Sequence, residues 1–281
     1  MEERILITVK TYPNLTSNHG ELVCTAGITE SGEWRRIYPV PFRKLGESEQ
    51  YHKFDWIRVR LTTAAPMDTR PESRKLVQGC EIIKESQISD YLERSRIIFS
   101  KTPVYYSKQS LLSDLHEKGT SLAIFKPTEI LDMDYEKTDS EWSPKKLEAF
   151  QRDREQYELF STREEHRRRY LEAAQKIPFI FRYRFKDSEG KVLRMMVEDW
   201  EIGMLYINSM KSPKCHGCSE EAAKMTVERY MKFAQERDMF FFLGTSWKNQ
   251  QRNAPNPFLI VGVYYPKKPK IDKGPMLSFG D

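Results

Sequence analysis

The sequence has 281 residues, and its 46 Lys and Arg residues exceed its 41 Asp and Glu residues to give a formal charge of +5. Hydrophobic residues make up 39% and aromatic residues 12%, which is enough apolar surface for a core and excludes a wholly disordered chain. No apolar run approaches the ~20 residues that a membrane-spanning helix needs, and residues 1–10 lack the order of a signal peptide. We therefore expect a soluble cytoplasmic protein with no membrane partner.

The first third of the chain has the pattern of a β-sheet. Apolar runs at 5–9 and 21–28, a turn signal at 30–32 and an extended segment over 34–40 predict a hairpin. Residues 56–61 then alternate strictly, and the alternation places Ile57, Val59 and Leu61 on one face and Arg58 and Arg60 on the other. One face of this strand is predicted to be core and the other basic.

Helices and strands are mixed in the remaining two thirds. The predicted elements are helices over 87–98, 109–117, 143–175 and 219–237, and strands over 121–131, 179–185, 191–197, 239–243 and 257–265. Pro127 indicates an edge strand or a bend within the first of these strands. The strand over 179–185 is the clearest one, because four aromatic residues share a face opposite Arg182 and Arg184.

These elements predict an α+β fold on a curved, largely antiparallel sheet or small β-barrel with peripheral helices, by analogy with PUA and ASCH barrels. The strands over 34–40, 56–61 and 179–185 are expected at its centre. We divide the chain into four parts. They are a β-rich lobe (1–135), a charged helical protrusion (136–177), an α/β lobe that completes the sheet (178–266) and a basic tail (267–281).

Four cysteines are candidate metal ligands. Cys215 and Cys218 form a C-x-x-C pair that can place two thiolates on one metal, and completing the site would require Cys24 and Cys80 to converge on that pair or His216 to substitute. Zinc, an iron–sulfur cluster and a redox dithiol are the alternatives that this pattern allows. Because a lone C-x-x-C is a weak signal, we favour structural thiols and no cofactor.

Arginines interleaved with aromatic residues recur on the predicted strands. Guanidinium groups bind phosphates as a fork, and aromatic rings are platforms for unpaired bases. If the strands share a sheet, their basic faces would merge into one nucleic-acid-binding surface. The candidates are Trp34, Arg35, Arg36, Tyr38, Arg58, Arg60, Arg182 and Arg184, with a further basic cluster at 166–169. The alternative is a solvated face whose arginines pair with nearby carboxylates.

Carboxylates follow a predicted strand at Glu198, Asp199 and Glu201. Metal-dependent phosphodiester hydrolysis needs two or more such groups around a divalent ion, so these three are candidate catalytic residues. Acidic residues at a helix start are also typical caps. His52 is the best histidine candidate for acid–base catalysis, because polar and ionisable residues flank it.

Several segments resemble those of an uncharacterised bacterial protein family, in the same order. They are Lys10-Thr11-Tyr12-Pro13, Cys24-Thr25-Ala26-Gly27, Arg36-Ile37-Tyr38-Pro39, Arg70-Pro71-Glu72-Ser73, Phe181-x-Tyr183-x-Phe185 and Asp199-Trp200-Glu201. The resemblance extends over most of the chain. It implies no activity and suggests only a bacterial or mobile-element setting.

The leading hypothesis from the sequence is nucleic-acid binding, as a reader or processor of modified or single-stranded nucleic acid. One alternative is a metal-dependent, nuclease-like hydrolase that acts on nucleic acid or nucleotides. Another is a protein-interaction module whose charged helices over 143–175 dock a partner protein. The sequence leaves open whether the protein is an enzyme.

Overall fold

The computed structural model describes residues 2–17, 20–160, 172–252 and 254–268. The strands in these ranges are β1 (Glu2–Lys10), β2 (Asn14–Thr16), β3 (Gly20–Thr29), β4 (Trp34–Val40), β5 (Asp55–Thr63), β6 (Ser73–Leu76), β7 (Ile83–Gln87), β8 (Val104–Tyr105), β9 (Leu122–Phe125), β10 (Glu129–Lys137), β11 (Phe179–Lys186), β12 (Val192–Met196), β13 (Phe240–Thr245) and β14 (Phe258–Tyr264). The α-helices are α1 (Tyr91–Lys101), α2 (Lys108–Lys118), α3 (Pro144–Phe160), α4 (Trp200–Met210), α5 (Ser219–Glu236) and α6 (Trp247–Gln251). The basic cluster predicted at 166–169 and the basic tail from residue 269 onward lie outside the described residues.

Five strands close into a β-barrel in the order β1, β3, β4, β6 and β5, with β5 pairing back to β1. Four of the five pairings are antiparallel, and β4 and β6 pair in parallel. The predicted α+β fold with a small, largely antiparallel barrel and peripheral helices is therefore confirmed.

The interior of the barrel is apolar, as the alternation of its strands predicts. Ile57, Val59 and Leu61 of β5 are buried, whereas Arg58 and Arg60 are exposed. Removing each such aliphatic side chain from water contributes about 1.5–3 kcal/mol before entropy is counted. The barrel core consists of Ile5, Ile7, Val23, Ile37, Val40, Phe42, Tyr51, Ile57, Val59, Leu61 and Ile82.

A second sheet, ordered β8, β9, β13 and β14, packs against the outside of the barrel. The Trp34 ring of β4 meets Phe242 of β13 edge to face, with ring centroids 6.0 Å apart. A polar clamp also joins the two layers. Glu72 accepts hydrogen bonds from the backbone N–H and hydroxyl of Ser121 at 2.8 and 2.7 Å, and Arg36 donates to the carbonyl oxygen of Ser121 at 2.8 Å.

The strand over 179–185 lies outside the barrel, which differs from its predicted central place. As β11 it is the middle strand of a separate sheet ordered β10, β11 and β12. Its aromatic face needs a large apolar partner, and it finds one in Phe241 of β13 and in Tyr206 and Tyr230 of α4 and α5. Pro127 lies in the bend between β9 and β10, where the sequence predicts one strand.

Helices α1 and α2 begin at side chains that cap them. The carboxylate of Asp90 accepts from the N–H of Glu93 in α1, and the hydroxyl of Ser107 accepts from the N–H of Ser110 in α2. Helix α3 lies against β2 and β3, and its buried Phe150 packs with Leu15. Within the described ranges, no helix is long and apolar enough to cross a membrane.

Candidate functional site

A pocket of about 290 Å³ opens at one mouth of the barrel. Its lining comes from the end of β1, the segment before β5, helix α1, the start of α4 and the end of β14. The aromatic part of this lining consists of Phe54, Tyr91, Trp200, Tyr264 and Tyr265, and the ionisable part includes Lys10, His52, Lys53, Arg94 and Glu201. We call it the barrel-mouth pocket.

Lys53 lies at the base of the pocket and is held by three acceptors. Its ammonium group donates to Asp199 Oδ2 at 3.0 Å, to Glu201 Oε2 at 3.1 Å and to the carbonyl oxygen of Val263 at 3.2 Å. Only 7% of Lys53 and none of Asp199 is exposed. Burial alone lowers the pKa of Lys53, but the two carboxylates outweigh it and raise the pKa above its ordinary value. Lys53 is therefore a fixed positive charge.

Asp199 is fully buried, and its carboxylate joins three parts of the chain. Besides Lys53, its carboxylate accepts from the N–H of Glu201 at 3.1 Å as the N-cap of α4, and from the N–H of Val263 at 2.9 Å. These bonds tie the start of α4 to β14 and to the segment before β5. The Asp199-Trp200-Glu201 segment thus places Trp200 and Glu201 in the pocket.

Lys10 is buried beside Lys53 but has a different environment. Its ammonium group donates to the carbonyl oxygen of Tyr51 at 3.3 Å and lies 4.2 Å from the ring centroid of Phe42 and 4.1 Å from that of Trp200. Only 5% of the residue is exposed. Burial, aided by the charge of Lys53, lowers the pKa of Lys10 to about 8 against the pull of Glu201 and Asp199.

Lys10 makes the stability of the protein depend on pH. Because folding lowers its pKa from 10.5 to about 8, its stabilising contribution is complete above the unfolded value and is lost as pH falls through the folded value. We expect the free energy of unfolding of the wild type, relative to Lys10→Met, to increase by up to about 3 kcal/mol between about pH 8 and pH 10.5. Urea titrations across this range measure it, and a difference independent of pH would contradict the account.

Glu201 faces the pocket while it holds Lys53. Its side chain is 41% exposed, and one oxygen bonds Lys53. Burial and the neighbouring charge of Asp199 raise the pKa of Glu201, although Lys53 opposes the shift. The second carboxyl oxygen has no hydrogen-bond partner among the described residues, so it is available to a ligand.

At the rim of the pocket, the positively charged side chain of Arg94 lies over two aromatic rings. The guanidinium carbon of Arg94 lies 4.1 Å from the ring centroid of Phe54 and 5.0 Å from that of Tyr91, and its Nε donates to the carbonyl oxygen of Ile88 at 2.6 Å. The exposed imidazole of His52 lies on the same rim, with Nδ1 3.6 Å from Asp55 Oδ2.

The structure brings together three of the four residues predicted as catalytic. His52 and Glu201 line the barrel-mouth pocket, and Asp199 lies beneath it. Glu198 does not line it, and its backbone bonds Tyr12 and Ile260. Both pocket carboxylates are bound to Lys53, an arrangement that the sequence does not reveal.

The arginines predicted as phosphate contacts lie on two sheets, and most are paired with carboxylates. The closest distances are 2.5 Å for Arg35–Glu3, 2.7 Å for Arg58–Glu85, 2.8 Å for Arg182–Glu136 and 3.3 Å for Arg184–Asp132. Arg60 is exposed on β5. Arg36 is 4% exposed and belongs to the clamp between the sheets. Of the predicted stacking residues, Trp34 is buried and Tyr38 is 39% exposed.

The four cysteines are free thiols, and the Cys215–Cys218 pair, Cys24 and Cys80 lie in three different places. Cys24 lies on β3 near Arg36, Cys80 Sγ lies 3.5 Å from the carbonyl oxygen of Arg60, and Cys215 Sγ lies 2.8 Å from that of Cys218. Burial raises the pKa of Cys24. The described part of the chain contains no group of three or more His, Cys, Asp and Glu side chains that could hold a metal ion.

Sequence reasoning missed most of the pocket. It did not select Lys10, Lys53, Tyr91, Arg94 or Trp200, because these residues come from separate segments and only the tertiary structure brings them together. The sequence contains one signal that could have identified Lys10 and Trp200. Lys10 opens the Lys10-Thr11-Tyr12-Pro13 segment and Trp200 lies at the centre of Asp199-Trp200-Glu201, both of which carry the family resemblance.

Comparisons with known proteins place the chain in a family. A search of curated proteins finds no match. Among solved structures, the murine DNA binding protein bound with ds DNA matches with 10% sequence identity and a TM-score of 0.31, over 96% of this chain and 99% of that one. At this level the likeness does not bear on what this chain binds. Residues 1–100 match the model described as "Domain of unknown function (DUF8758)". Because residues 105–277, more than half of the sequence, match the model described as "Domain of unknown function (DUF8757)", the chain belongs to that family.

Proposed function

We propose that the protein binds single-stranded nucleic acid and accepts one nucleotide in the barrel-mouth pocket. The observation that carries this proposal is the combination of aromatic walls with a buried, under-bonded ammonium group and a free carboxyl oxygen. A nucleotide offers the complementary groups, namely a flat ring, hydrogen-bond donors and acceptors at its edge, and a phosphate.

The donors of Lys10 favour a ligand that carries an acceptor. An ammonium group has three N–H donors, and among the described residues only the carbonyl oxygen of Tyr51 accepts from Lys10. Leaving donors of a buried charge without partners is costly, so a phosphate or a base carbonyl oxygen would gain a charge-assisted hydrogen bond here. The free oxygen of Glu201 would accept from an amino or imino group of a base.

The aromatic residues supply the second part of the argument. Tyr91 and Phe54 at the rim and Trp200 at the base present rings within one pocket. Stacking of one base on such a ring contributes about 1–3 kcal/mol and tolerates any sequence. Arg94, held on the rings of Phe54 and Tyr91, adds a cation at the entrance where the sugar–phosphate chain would pass.

The basic face of β5 completes the proposal. Arg58 and Arg60 are exposed on the barrel exterior, and we assign them to phosphates of the same strand outside the pocket. Arg58 would exchange its contact with Glu85 for a phosphate, at little cost because exposed ion pairs contribute only about 0–1 kcal/mol.

Binding is favoured over the metal-dependent hydrolase that the sequence also suggests. Asp199 and Glu201, the two carboxylates at the pocket, both bond the ammonium of Lys53. A divalent cation would have to compete with that ammonium group for the same oxygens. The arrangement therefore favours recognition of a ligand through hydrogen bonds and stacking.

Fluorescence anisotropy with labelled single-stranded DNA and RNA tests the proposal. We expect Lys10→Met and Tyr91→Ala each to weaken binding about tenfold, which corresponds to one lost charge-assisted bond or one lost stack. Tyr91→Phe keeps the ring and should bind like the wild type, as should Lys191→Met, which removes an exposed lysine outside the pocket.

The salt dependence of the same affinities tests the surface arginines. Each phosphate contact on a single strand contributes about 0.7 to the slope of log affinity against log salt, so Arg58→Met with Arg60→Met should reduce it by about 1.4. Wild-type affinity in both pocket variants, or no binding by the wild type at low salt, would contradict the proposed function.

A further inference from the structure

Two lysines share the barrel-mouth pocket, and their surroundings suit different tasks. Lys53 is bound by two carboxylates and a carbonyl oxygen. Lys10 contacts one carbonyl oxygen and no carboxylate within hydrogen-bond distance among the described residues, and it lines the pocket. A lysine that is desolvated and placed beside a second cation has the environment of a nucleophilic amine.

The position of the Lys10 amine is fixed by packing. The rings of Phe42 and Trp200 lie about equally far from Nζ, at 4.2 and 4.1 Å, and hold the end of the side chain at the barrel mouth. The same rings stabilise the ammonium form. Burial and Lys53 act in the opposite direction and bring the pKa of Lys10 to about 8, so a usable fraction is neutral near physiological pH.

A proton carrier is present in the same pocket. Glu201 exerts the largest charge effect on Lys10 of all the neighbouring ionisable groups, and its carboxyl group has a raised pKa and a free oxygen. Formation of an imine needs such a group, because the intermediate carbinolamine loses its hydroxyl as water only when a proton is delivered to it.

We propose that Lys10 forms an imine with an aldehyde carried by a single-stranded nucleic acid bound in the barrel-mouth pocket. The lone pair of Nζ attacks the carbonyl carbon, and a proton moves from the nitrogen to the new alkoxide oxygen to give the carbinolamine. Glu201 then protonates the hydroxyl, which leaves as water while the C=N bond forms, and the iminium nitrogen returns its proton to Glu201. One amine and one aldehyde give one imine and one water, with no oxidant or reductant. This inference rests on the proposed function.

Two kinds of nucleic-acid lesion or modification carry the required aldehyde. One is the ring-opened sugar of an abasic site, whose C1′ is an aldehyde. The other is a base with a formyl substituent. Both place an electrophilic carbon within a single nucleotide, and the test separates them.

Borohydride trapping tests the inference with the full chain. Single-stranded DNA with one abasic site, one formylcytosine or neither is incubated with the protein and then reduced, which converts an imine into a stable secondary amine. We expect a covalent complex with at least one aldehyde strand and none with the unmodified strand. Mass spectrometry should locate the linkage at Lys10. The trapping rate should rise with pH through about 8, following the pKa of Lys10.

Three variants separate imine formation from binding. Lys10→Arg keeps the positive charge but cannot form the imine, so trapping should fall by at least about tenfold when compared at equal occupancy of the protein by the strand. Lys10→Met should lose trapping and weaken binding about tenfold. Lys191→Arg, a matched change of an exposed lysine outside the pocket, should trap like the wild type.

The outcomes distinguish the inference from the function on which it rests. Linkage through other lysines, or equal trapping by Lys10→Arg, overturns imine formation, and normal binding of unmodified strands then leaves the proposed function standing. Absence of both binding and trapping overturns both. Because the linkage is located in the wild-type protein, the test holds even if a Lys10 variant fails to fold.

Discussion

Replacing Asp199 by alanine is expected to destabilise the protein by about 3–5 kcal/mol, the cost of removing one partner from a buried ion pair. Asp199 is fully buried, and its carboxylate accepts from Lys53, from the N–H of Glu201 and from the N–H of Val263. The change leaves the Lys53 ammonium with one fewer carboxylate and removes the N-cap of α4. Urea denaturation measures the loss.

Two further variants separate the ion pair from the helix cap. Glu201→Gln should cost only about 1 kcal/mol, because the side chain is partly exposed and an amide oxygen still accepts from Lys53. Lys53→Met combined with Asp199→Ala should recover part of the loss, since the buried ammonium group that lost its carboxylate is then removed as well. A loss below about 1 kcal/mol for Asp199→Ala would contradict the assigned role.

Replacing Arg36 by methionine is the second change with a large expected effect, a destabilisation of about 2–3 kcal/mol. Arg36 is 4% exposed and donates to the carbonyl oxygen and hydroxyl of Ser121 and to the carbonyl oxygen of Thr245. Methionine fills similar space but leaves these acceptors with fewer donors. It also removes a cation close to the carboxylate of Glu72.

An arginine on an exposed pair is the control for Arg36. Arg184 lies 3.3 Å from Asp132, and both side chains are 46% exposed. Arg184→Met should therefore change the free energy of unfolding by less than about 1 kcal/mol. Urea denaturation measures both variants. Equal losses in the free energy of unfolding would show that the clamp between the barrel and the second sheet stabilises the protein no more than an exposed ion pair does.

The strands could be predicted where the pattern of side chains depends only on which face is buried. Ile57, Val59 and Leu61 alternate with Arg58 and Arg60 because β5 has one face inside the barrel and one face in solvent. The pairing partners could not be predicted in this way. The parallel pairing of β4 with β6 and the return of β5 to β1 join segments distant in sequence, which local alternation does not encode.

The arginine-rich strands show where local pattern misleads. Trp34-Arg35-Arg36 looks like a basic and aromatic surface, yet Trp34 and Arg36 face the second sheet and Arg35 pairs with Glu3. The partners that decide these roles come from β13, from β1 and from Ser121 just before β9. The site residues assigned from the sequence therefore stay predictions until binding is measured.

The barrel-mouth pocket could not be predicted from the local sequence pattern either. Its two lysines are unremarkable in sequence, and only burial beside each other and beside Glu201 gives them their opposite pKa shifts. In the sequence, the acids of the Asp199-Trp200-Glu201 segment indicate catalysis or a helix cap. In the structure, Asp199 caps α4, Trp200 contributes its aromatic ring to the base of the pocket, and Glu201 has one carboxyl oxygen open to the pocket.

The central claim, that one nucleotide of a single strand enters the barrel-mouth pocket, is tested most directly by photocrosslinking. A short single strand with one photoreactive base is irradiated in complex with the wild-type protein, and the linked residues are found by mass spectrometry. We expect linkage to the pocket aromatics, with Tyr91 and Trp200 foremost. Linkage confined to Trp34–Val40 or to β11, with none in the pocket, would contradict the account.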